Sequence, residues 1–365
     1  MPFEPNILFP GLLADSAARW AQDAAGRHPE RPAAALTAEM GWNAVLIAEE
    51  QGGAGGGFAD LASIIEGLAL HAVELPVATR CGIVPAMLNA LRGSEPVRAL
   101  LSDIAEGAAV VELGGPLCAA EAAQPLAARG GPSAWSLSGT TAELALTDDC
   151  THVLLVCAAG DGSPMLACVD AAALRERATR YLSMDDRQVA SCRLEALDLP
   201  AAGVLAAGAE AERAIRAGHH MAVAAMATDT VCCMGGALAR TVQYLLERQQ
   251  FGQPLANFQA LRHDVARLYV SYELARNLLQ ASLRAWDAAD AAESQAGAFS
   301  LLGLFTGQEA VQFAETVIQL HGGMGMTREM PAARLATRLL ANTVRFGDPL
   351  AHQQTLNQLR DRMPT

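Results

Sequence analysis

The sequence has few charged residues, few aromatic residues and no lysine. Of its 365 residues 18% are charged, 5% are aromatic and 52% are hydrophobic, so alanine and leucine must fill a large buried core. All 26 basic residues are arginine, which we attribute to coding bias. The 39 acidic residues give a formal net charge of −13, which excludes the basic face that nucleic-acid phosphates require.

Several targeting and cross-linking signals are also missing. No basic segment followed by an apolar run opens the chain, and no run of about 18 uninterrupted apolar residues occurs, so we expect a soluble cytoplasmic protein without a membrane partner. The eight cysteines form no C-x-x-C pair, and most lie in apolar runs such as "HVLLVCAA", which favours core packing. Adjacent His219 and His220 would point about 100° apart on a helix, so together with His352 they predict no metal site.

Three zones differ in their hydrophobic period. Residues 11–105 and 205–358 carry apolar residues at three- and four-residue spacing, whereas 108–203 consist of short apolar runs bounded by Gly, Asp, Ser and Pro. We predict an α+β protein with a helical domain at 1–107, a β-barrel or sandwich at 108–204 and a four-helix bundle at 205–365. The four bundle helices are expected near 207–249, 258–287, 293–320 and 330–345.

The stretch "LLERQQFGQPLANFQ" carries the first candidate binding motif. A helix ends near Arg248, Phe251-Gly252 break it, and Gln259 lies in the first turn of the next helix. An arginine at such a break can bind a phosphate through its forked guanidinium. An exposed Phe offers a flat face to a ring system. Taken alone, an ordinary helical hairpin fits the pattern equally well.

The second candidate motif is "VIQLHGGMGMTREMP". Gln319 and His321 precede Gly322, Gly323 and Gly325. Clustered glycines allow backbone amides to approach a ligand closely. A glycine cap that ends a helix is the alternative interpretation.

At this separation within one helical domain, the two motifs together resemble those of the acyl-CoA dehydrogenase family. "MGWNAVLIAEEQGGAGGGFADLASIIEGLA" and "AWSLSGTTAELAL" are similar to the family's N-terminal segment and to the opening of its middle β domain. The resemblance implies FAD as cofactor. It also implies that the six matching residues contact flavin across a subunit interface: Arg248, Phe251, Gln259, Gln319, Gly322 and Gly323.

The resemblance also implies a reaction and its partners. In the family a carboxylate removes the proton α to the thioester carbonyl, and flavin accepts a hydride from the β carbon to leave a trans-2-enoyl-CoA. The implied partners are an acyl-CoA substrate and an electron-transfer flavoprotein. The chain is expected in a homodimer or homotetramer, or in an α2β2 assembly with a sister chain.

The sequence departs from the family at the catalytic base. The position of the usual glutamate falls on Phe346, before Gly347, and the alternative position on the first bundle helix falls on Ala222. In the β domain, "LGGPLCAAEAAQP" keeps Glu121 but lacks the family's Thr and Pro-Gly. "LALTDDCTHVLL" lacks the family's flavin-stacking Trp.

Two aspartates are therefore the candidate bases. Asp348 lies two residues beyond the usual position, and Asp229 lies two helical turns beyond Ala222 on the same helix face. A turn-forming role for Asp348 and an ion pair for Asp229 are the structural alternatives. If neither is a base, the chain is a non-catalytic partner that completes a sister chain's flavin site. A flavin oxidase on the same scaffold is a further possibility.

Overall fold

The computed structural model describes residues 2–24, 33–91, 93–117, 126–131, 134–288 and 292–362. The chain divides into two compact units. The bundle unit comprises Met1–His28, Ala62–Glu74 and Val223–Thr365, and the sheet unit comprises Pro29–Leu61 and Leu75–Ala222. The three domain boundaries expected from the sequence stay a prediction.

Short helices occupy the N-terminal zone, as the three- and four-residue apolar spacing predicts. They are α1 (Leu12–Ala24), α2 (Ala33–Glu39), α3 (Phe58–Ala69), α4 (Val84–Asn89) and α5 (Glu95–Ala105), with a π-helical turn at Ala78–Ile83 before α4. The glycine run between α2 and α3 is a tight turn that leaves no room for a side chain at Gly53. A Cβ added at Gly53 would lie 2.0 Å from the carbonyl oxygen of Ile47.

The short apolar runs of the middle zone form one eight-stranded sheet, which confirms the β prediction. The strands are β1 (Val111–Leu113), β2 (Leu126–Gly131), β3 (Ala134–Thr140), β4 (His152–Ala159), β5 (Pro164–Asp170), β6 (Ala178–Leu182), β7 (Gln188–Pro200) and β8 (Val204–Ala207); the short helix α6 (Ala171–Arg175) follows β5. The order is β6–β7–β3–β2–β4–β5–β8, with β1 beside β4. The pairs β1–β4 and β2–β4 are parallel and the others are antiparallel.

The core of the sheet unit follows the two-residue period of its strands. Val153, Leu155 and Cys157 alternate along β4 and are buried in one apolar cluster, where Met165 and Ala167 of β5 join them. Alternation of this kind commits one face of the sheet to the core and therefore fixes the register of the strands.

Long helices make up the C-terminal zone, within two or three residues of the predicted bounds. They are α7 (Ala209–Glu247), α8 (Gln259–Ala288), α9 (Ala292–His321) and α10 (Pro331–Asn342). The buried face of α8 follows the three- and four-residue apolar spacing over its C-terminal part, where Leu268, Tyr272, Ala275 and Leu279 are buried. A further helix that the sequence analysis did not predict, α11 (Pro349–Arg362), follows the "RFGDP" turn.

Helix α7 is long and apolar enough to cross a membrane by length and composition alone. Its most apolar window is entirely buried within the protein. A buried core helix in a soluble protein passes the same test, so the hydropathy of α7 is explained by packing.

The acid stability of the sheet unit should depend on His220. This residue on α7 is 7% exposed, and burial, aided by Arg216, lowers the pKa of its imidazole to about 4. The unfolded chain binds this proton near pH 6.5, whereas the folded chain binds it only near pH 4. The free energy of unfolding is therefore highest above pH 6.5 and decreases as the pH falls towards 4. A pKa difference of this size between the folded and unfolded chain corresponds to about 3 kcal/mol in the free energy of unfolding.

Chemical denaturation of His220→Gln and wild type between pH 4 and 7 measures this effect. The variant should lose less free energy of unfolding over that interval. His263→Gln, which replaces an exposed histidine on α8, serves as the control and should follow the wild-type curve. Parallel curves for all three proteins would refute the role of His220.

Candidate flavin and acyl site

The first motif forms an exposed turn between α7 and α8. The Leu255 amide donates to the carbonyl oxygen of Arg248 at 2.8 Å, and the two-residue strands β9 (Gln249–Gln250) and β10 (Gln253–Pro254) pair across the turn. Phe251 at the tip is 90% exposed and has a left-handed backbone with φ 54°. Such a conformation is costly for a bulky residue, and an aromatic ring exposed in it is poorly explained by packing.

Arg248 and Gln259 flank this turn, and both are exposed. The Arg248 guanidinium makes no hydrogen bond or ion pair with the residues that the structure describes. An unpaired cation beside an exposed ring is a suitable partner for a phosphate linked to an aromatic group.

The second motif forms a 3₁₀ turn, Gly322–Met326, directly after α9. Gly322 has φ 56°, and a Cβ added at Gly322 or Gly323 would meet nothing within 4 Å, so a ligand can approach this backbone. Gly325 has a structural role instead, because a Cβ there would lie 2.5 Å from the carbonyl oxygen of Ile318. Gln319, one turn earlier on α9, is exposed.

An aromatic contact joins the two motifs. The rings of Tyr244 on α7 and His321 at the end of α9 stack with centroids 4.6 Å apart, and the Tyr244 hydroxyl donates to the His321 carbonyl at 3.4 Å. Because Arg248 lies one turn after Tyr244 and Gly322 follows His321, the structure brings both predicted binding turns to the same end of the bundle unit.

His321 adds a buried polar atom beside these turns. Its Nδ1 lies 2.8 Å from the Val317 carbonyl, which can only accept, so Nδ1 carries the proton. Burial lowers the pKa of the ring, which leaves Nε2 as an acceptor. This atom is buried and has no hydrogen-bond partner among the described residues. An unpaired cation, an open glycine backbone, an exposed ring and a buried acceptor together fit the phosphates, ring system and hydroxyls of FAD.

A narrow cleft in the bundle unit lies at the family's base position. Its walls come from α7, α9, α11 and the turn after α10, and they consist of Val223, Met226, Ala227, Thr230, Gly303, Thr306, Gly307, Asn342, Thr343, Arg345, Phe346, Gly347 and His352. None of these residues is a carboxylate. Burial lowers the pKa of His352 in this cleft, although Asp348 opposes the shift, so its imidazole is a weak base.

Asp348 lies outside the walls of this cleft. It is exposed, and its Oδ1 accepts a hydrogen bond of 2.8 Å from the Ala351 amide in the first turn of α11. Pro349 occupies the first position of that helix. This is the geometry of a helix N-cap followed by proline, which gives Asp348 a clear structural role.

Asp229 is buried and engaged in an ion pair. Its Oδ2 accepts from Arg338 Nε at 2.9 Å and from Asn342 Nδ2 at 2.6 Å, and its Oδ1 accepts from Arg338 Nη2. Glu74 Oε2 lies 3.0 Å from the same Nε of Arg338. Asp229 would have to abandon these partners in order to remove a proton from a substrate.

The sequence analysis missed a buried charge cluster in the sheet unit. Arg80, 6% exposed, donates from Nε to Glu112 at 3.0 Å and lies 3.4 Å from Asp149. Its Nη2 also donates to the Thr147 hydroxyl and to the Ala145 carbonyl. Arg80 thus holds the 145–149 loop, which corresponds by resemblance to the family's flavin-facing segment.

The feature of the sequence that indicates this cluster is a single charged residue within an otherwise apolar run. Arg80 stands in "VATRCGIV" and Glu112 in "AVVELGG", and a lone charge in a core segment requires a partner. Glu121, which the sequence analysis noted, lies outside the described residues. Among the residues described there is also no group of three His, Cys, Asp or Glu side chains that could hold a metal ion.

Residues 213–356 match the family model described as "Acyl-CoA dehydrogenase, C-terminal domain". Two curated proteins of Mycobacterium tuberculosis are similar over most of their length. Acyl-CoA dehydrogenase IpdE2 is 26% identical over 80% of this chain and 75% of its own, and acyl-CoA dehydrogenase FadE28 is 25% identical over 85% and 86%.

Solved structures show the same fold. A variant of the Tcur3481-Tcur3483 steroid ACAD superposes with a TM-score of 0.81 at 25% identity over 96% of both chains. The ChsE4-ChsE5 complex from Mycobacterium tuberculosis gives a TM-score of 0.80 at 15% identity over 98% of this chain and 99% of its own. These matches confirm the predicted α+β fold, and together with the family model over residues 213–356 and the curated relatives they confirm the resemblance to the acyl-CoA dehydrogenase family.

Proposed function

We propose that this chain is a subunit of an FAD-dependent acyl-CoA dehydrogenase, in which a sister chain of the same fold supplies the catalytic base. The reaction would convert an acyl-CoA to a trans-2-enoyl-CoA. Bound FAD would supply the acceptor for the hydride that leaves the β carbon. The observation that carries the proposal is the cleft at the base position, whose described walls contain Phe346 and no carboxylate.

The contribution of this chain would be to bind and orient the cofactor. Arg248 would neutralise phosphate charge, Phe251 would cover a ring, and the open backbone at Gly322 and Gly323 would donate amide hydrogens. Gln259 and Gln319, exposed beside the two turns, would supply amide contacts. Support for FAD comes from the family resemblance and from a glutaryl-CoA dehydrogenase of Mycobacterium smegmatis, which has this fold and was solved in complex with FADH2.

We include in the proposal a heteromeric assembly with equal numbers of the two chains, because the missing base must come from another chain. The ChsE4-ChsE5 structure, which is a complex of two different chains, shows that this fold occurs in such assemblies. We include in the proposal that the electrons leave to an electron-transfer flavoprotein and that the assembly is cytoplasmic.

The test compares two preparations of the chain. Purified alone, it should be colourless or poorly soluble, and co-expressed with the sister chain it should yield a yellow complex that bleaches anaerobically on addition of an acyl-CoA. A homo-oligomer of this chain that carries FAD and bleaches at a rate similar to that of the co-expressed complex would contradict the proposal. Oxygen consumption when the acyl-CoA is added in aerated buffer would identify an oxidase.

The variant Asp348→Asn distinguishes a base in this chain from one in the sister chain. Because Asp348 is exposed and caps α11, the bleaching rate of the complex should stay within about twofold of wild type. Loss of a general base would instead slow bleaching by roughly 10²–10⁴-fold. A loss of that size, with the melting temperature unchanged, would establish Asp348 as the base.

A further inference from the structure

Three elements of the bundle unit meet at Gly236 on α7. A Cβ added there would lie 3.1 Å from the carbonyl oxygen of Leu70, directly after α3, and 3.3 Å from Cδ1 of Leu335 on α10. His71 follows Leu70 in the chain, and Arg334 precedes Leu335. The close packing at this glycine therefore brings an imidazole and a guanidinium to the same stretch of α7.

Arg240 adds a second guanidinium, one turn after Gly236 on α7. Its Nη1 donates to the Gly236 carbonyl at 3.0 Å, and Nη1 of Arg334 donates to the Arg328 carbonyl at 3.1 Å. The side chains of Arg240, Arg334 and His71 are all half-buried. Backbone carbonyls thus hold both guanidinium groups in position.

No carboxylate neutralises these side chains among the residues that the structure describes. Arg240, Arg334 and His71 make no ion pair there, and the two guanidinium hydrogen bonds go to neutral carbonyls. Burial, aided by the neighbouring Arg334, lowers the pKa of Arg240. Burial, aided by Arg240, also lowers the pKa of His71. Positive charge is therefore costly at this place unless an anion accompanies it.

The neighbouring helix ends do not remove this cost. Arg334 lies in the first turn of α10, where the helix dipole disfavours a cation, and no side chain caps that end. The C-terminal end of α3 offers only about half an elementary negative charge. Two guanidinium groups in this position are thus left with an excess of positive charge.

We propose that His71, Arg240 and Arg334 form a binding site for a phosphate group. Two forked guanidinium groups and an imidazole N–H, contributed by three elements, suit a tetrahedral oxyanion better than a planar carboxylate. Arg240 lies two turns before Arg248, about 12 Å along α7, so one phosphate group does not contact both arginines. The site is independent of the proposed function, and inorganic phosphate and a nucleotide phosphate share the chemistry that it recognises.

Titration calorimetry with inorganic phosphate, in chloride buffer of fixed ionic strength, tests the site. The sample is the full chain, together with its sister chain where the two co-purify. Wild type should bind phosphate, and Arg240→Met and Arg334→Met should each weaken this binding by at least about tenfold, because each loses a charge-assisted hydrogen bond. Arg284→Met, which replaces an exposed arginine on α8, should bind phosphate as wild type does.

The variant Arg240→Glu separates anion binding from a structural role. Its carboxylate can pair with Arg334, so the melting temperature in chloride buffer should rise while phosphate binding is lost. In wild type, phosphate itself should raise the melting temperature, because it binds the folded chain. A residue that served only to pack α7 against α10 would give a variant with a lower melting temperature and unchanged phosphate affinity.

Competition with coenzyme A identifies the source of the phosphate. Displacement of inorganic phosphate by coenzyme A in wild type, but not in Arg240→Glu, would support a nucleotide phosphate as the ligand. Phosphate binding that coenzyme A does not affect would support the free ion. Absence of phosphate binding in wild type, or wild-type affinity in both Arg240→Met and Arg240→Glu, would overturn the proposal.

Discussion

Replacing Asp229 with alanine should lower the free energy of unfolding by about 3–5 kcal/mol. The change removes the partner that binds Arg338 through two nitrogens and that also accepts from Asn342. Arg338 is 9% exposed and would keep a buried charge next to Glu74, whose single carboxylate is also shared with Arg345. Urea denaturation monitored by circular dichroism measures the loss.

Two comparisons make this prediction specific. Asp264→Ala breaks an exposed ion pair with Arg267 in the same unit and should change stability by less than about 0.5 kcal/mol. The double variant Asp229→Leu with Arg338→Met removes both charges and should recover much of the loss. A loss below about 1 kcal/mol in Asp229→Ala, joined to a bleaching rate lower by 10²-fold or more, would instead point to Asp229 as the base.

The second large effect is expected at Arg248. Arg248→Ala should weaken FAD binding by about 10- to 150-fold, because a charge-assisted hydrogen bond to a phosphate contributes roughly 1.5–3 kcal/mol. Stability should hardly change, since the guanidinium has no partner among the described residues. The FAD content of the purified complex and its dissociation constant from fluorescence titration measure the effect.

Arg248→Lys gives an informative comparison, because it keeps the charge but loses the forked geometry. Its affinity should fall between those of wild type and Arg248→Ala. Arg262→Ala removes an exposed arginine one turn into α8 and should leave FAD binding unchanged. Full FAD occupancy with wild-type affinity in Arg248→Ala would remove Arg248 from the site.

Local periodicity accounts for most of what the sequence predicted correctly. The seam that includes Leu268, Tyr272 and Ala275 follows from three- and four-residue spacing alone, and the exposed turn at Phe251-Gly252 follows from a broken pattern. The strands β4 and β5 were likewise identified by short apolar runs between turn residues. Each of these features is encoded within about ten neighbouring residues.

The missed features depend on longer-range contacts or on a weak pattern. Helix α11 is polar and carries little apolar periodicity, although Asp348 followed by Pro349 is a helix-start signal that could have revealed it. Arg80, Glu112 and Asp149 are brought together from three separate segments, so their spacing in the sequence carries no sign of the cluster. An ion pair was an alternative that the sequence offered for Asp229, but its partner Arg338 is 109 residues away and could not be named from the sequence.

The stacked pair of Tyr244 and His321 should link the two candidate binding turns thermodynamically. A ligand that immobilises the glycine turn would also restrict Tyr244, and through it the end of α7, so less entropy remains to be lost when the Arg248 turn is ordered. Occupation of either turn should therefore increase the affinity of the other and slow amide hydrogen exchange in both. A cofactor that contacts both turns would therefore be bound cooperatively along its length, through the contact between these two rings.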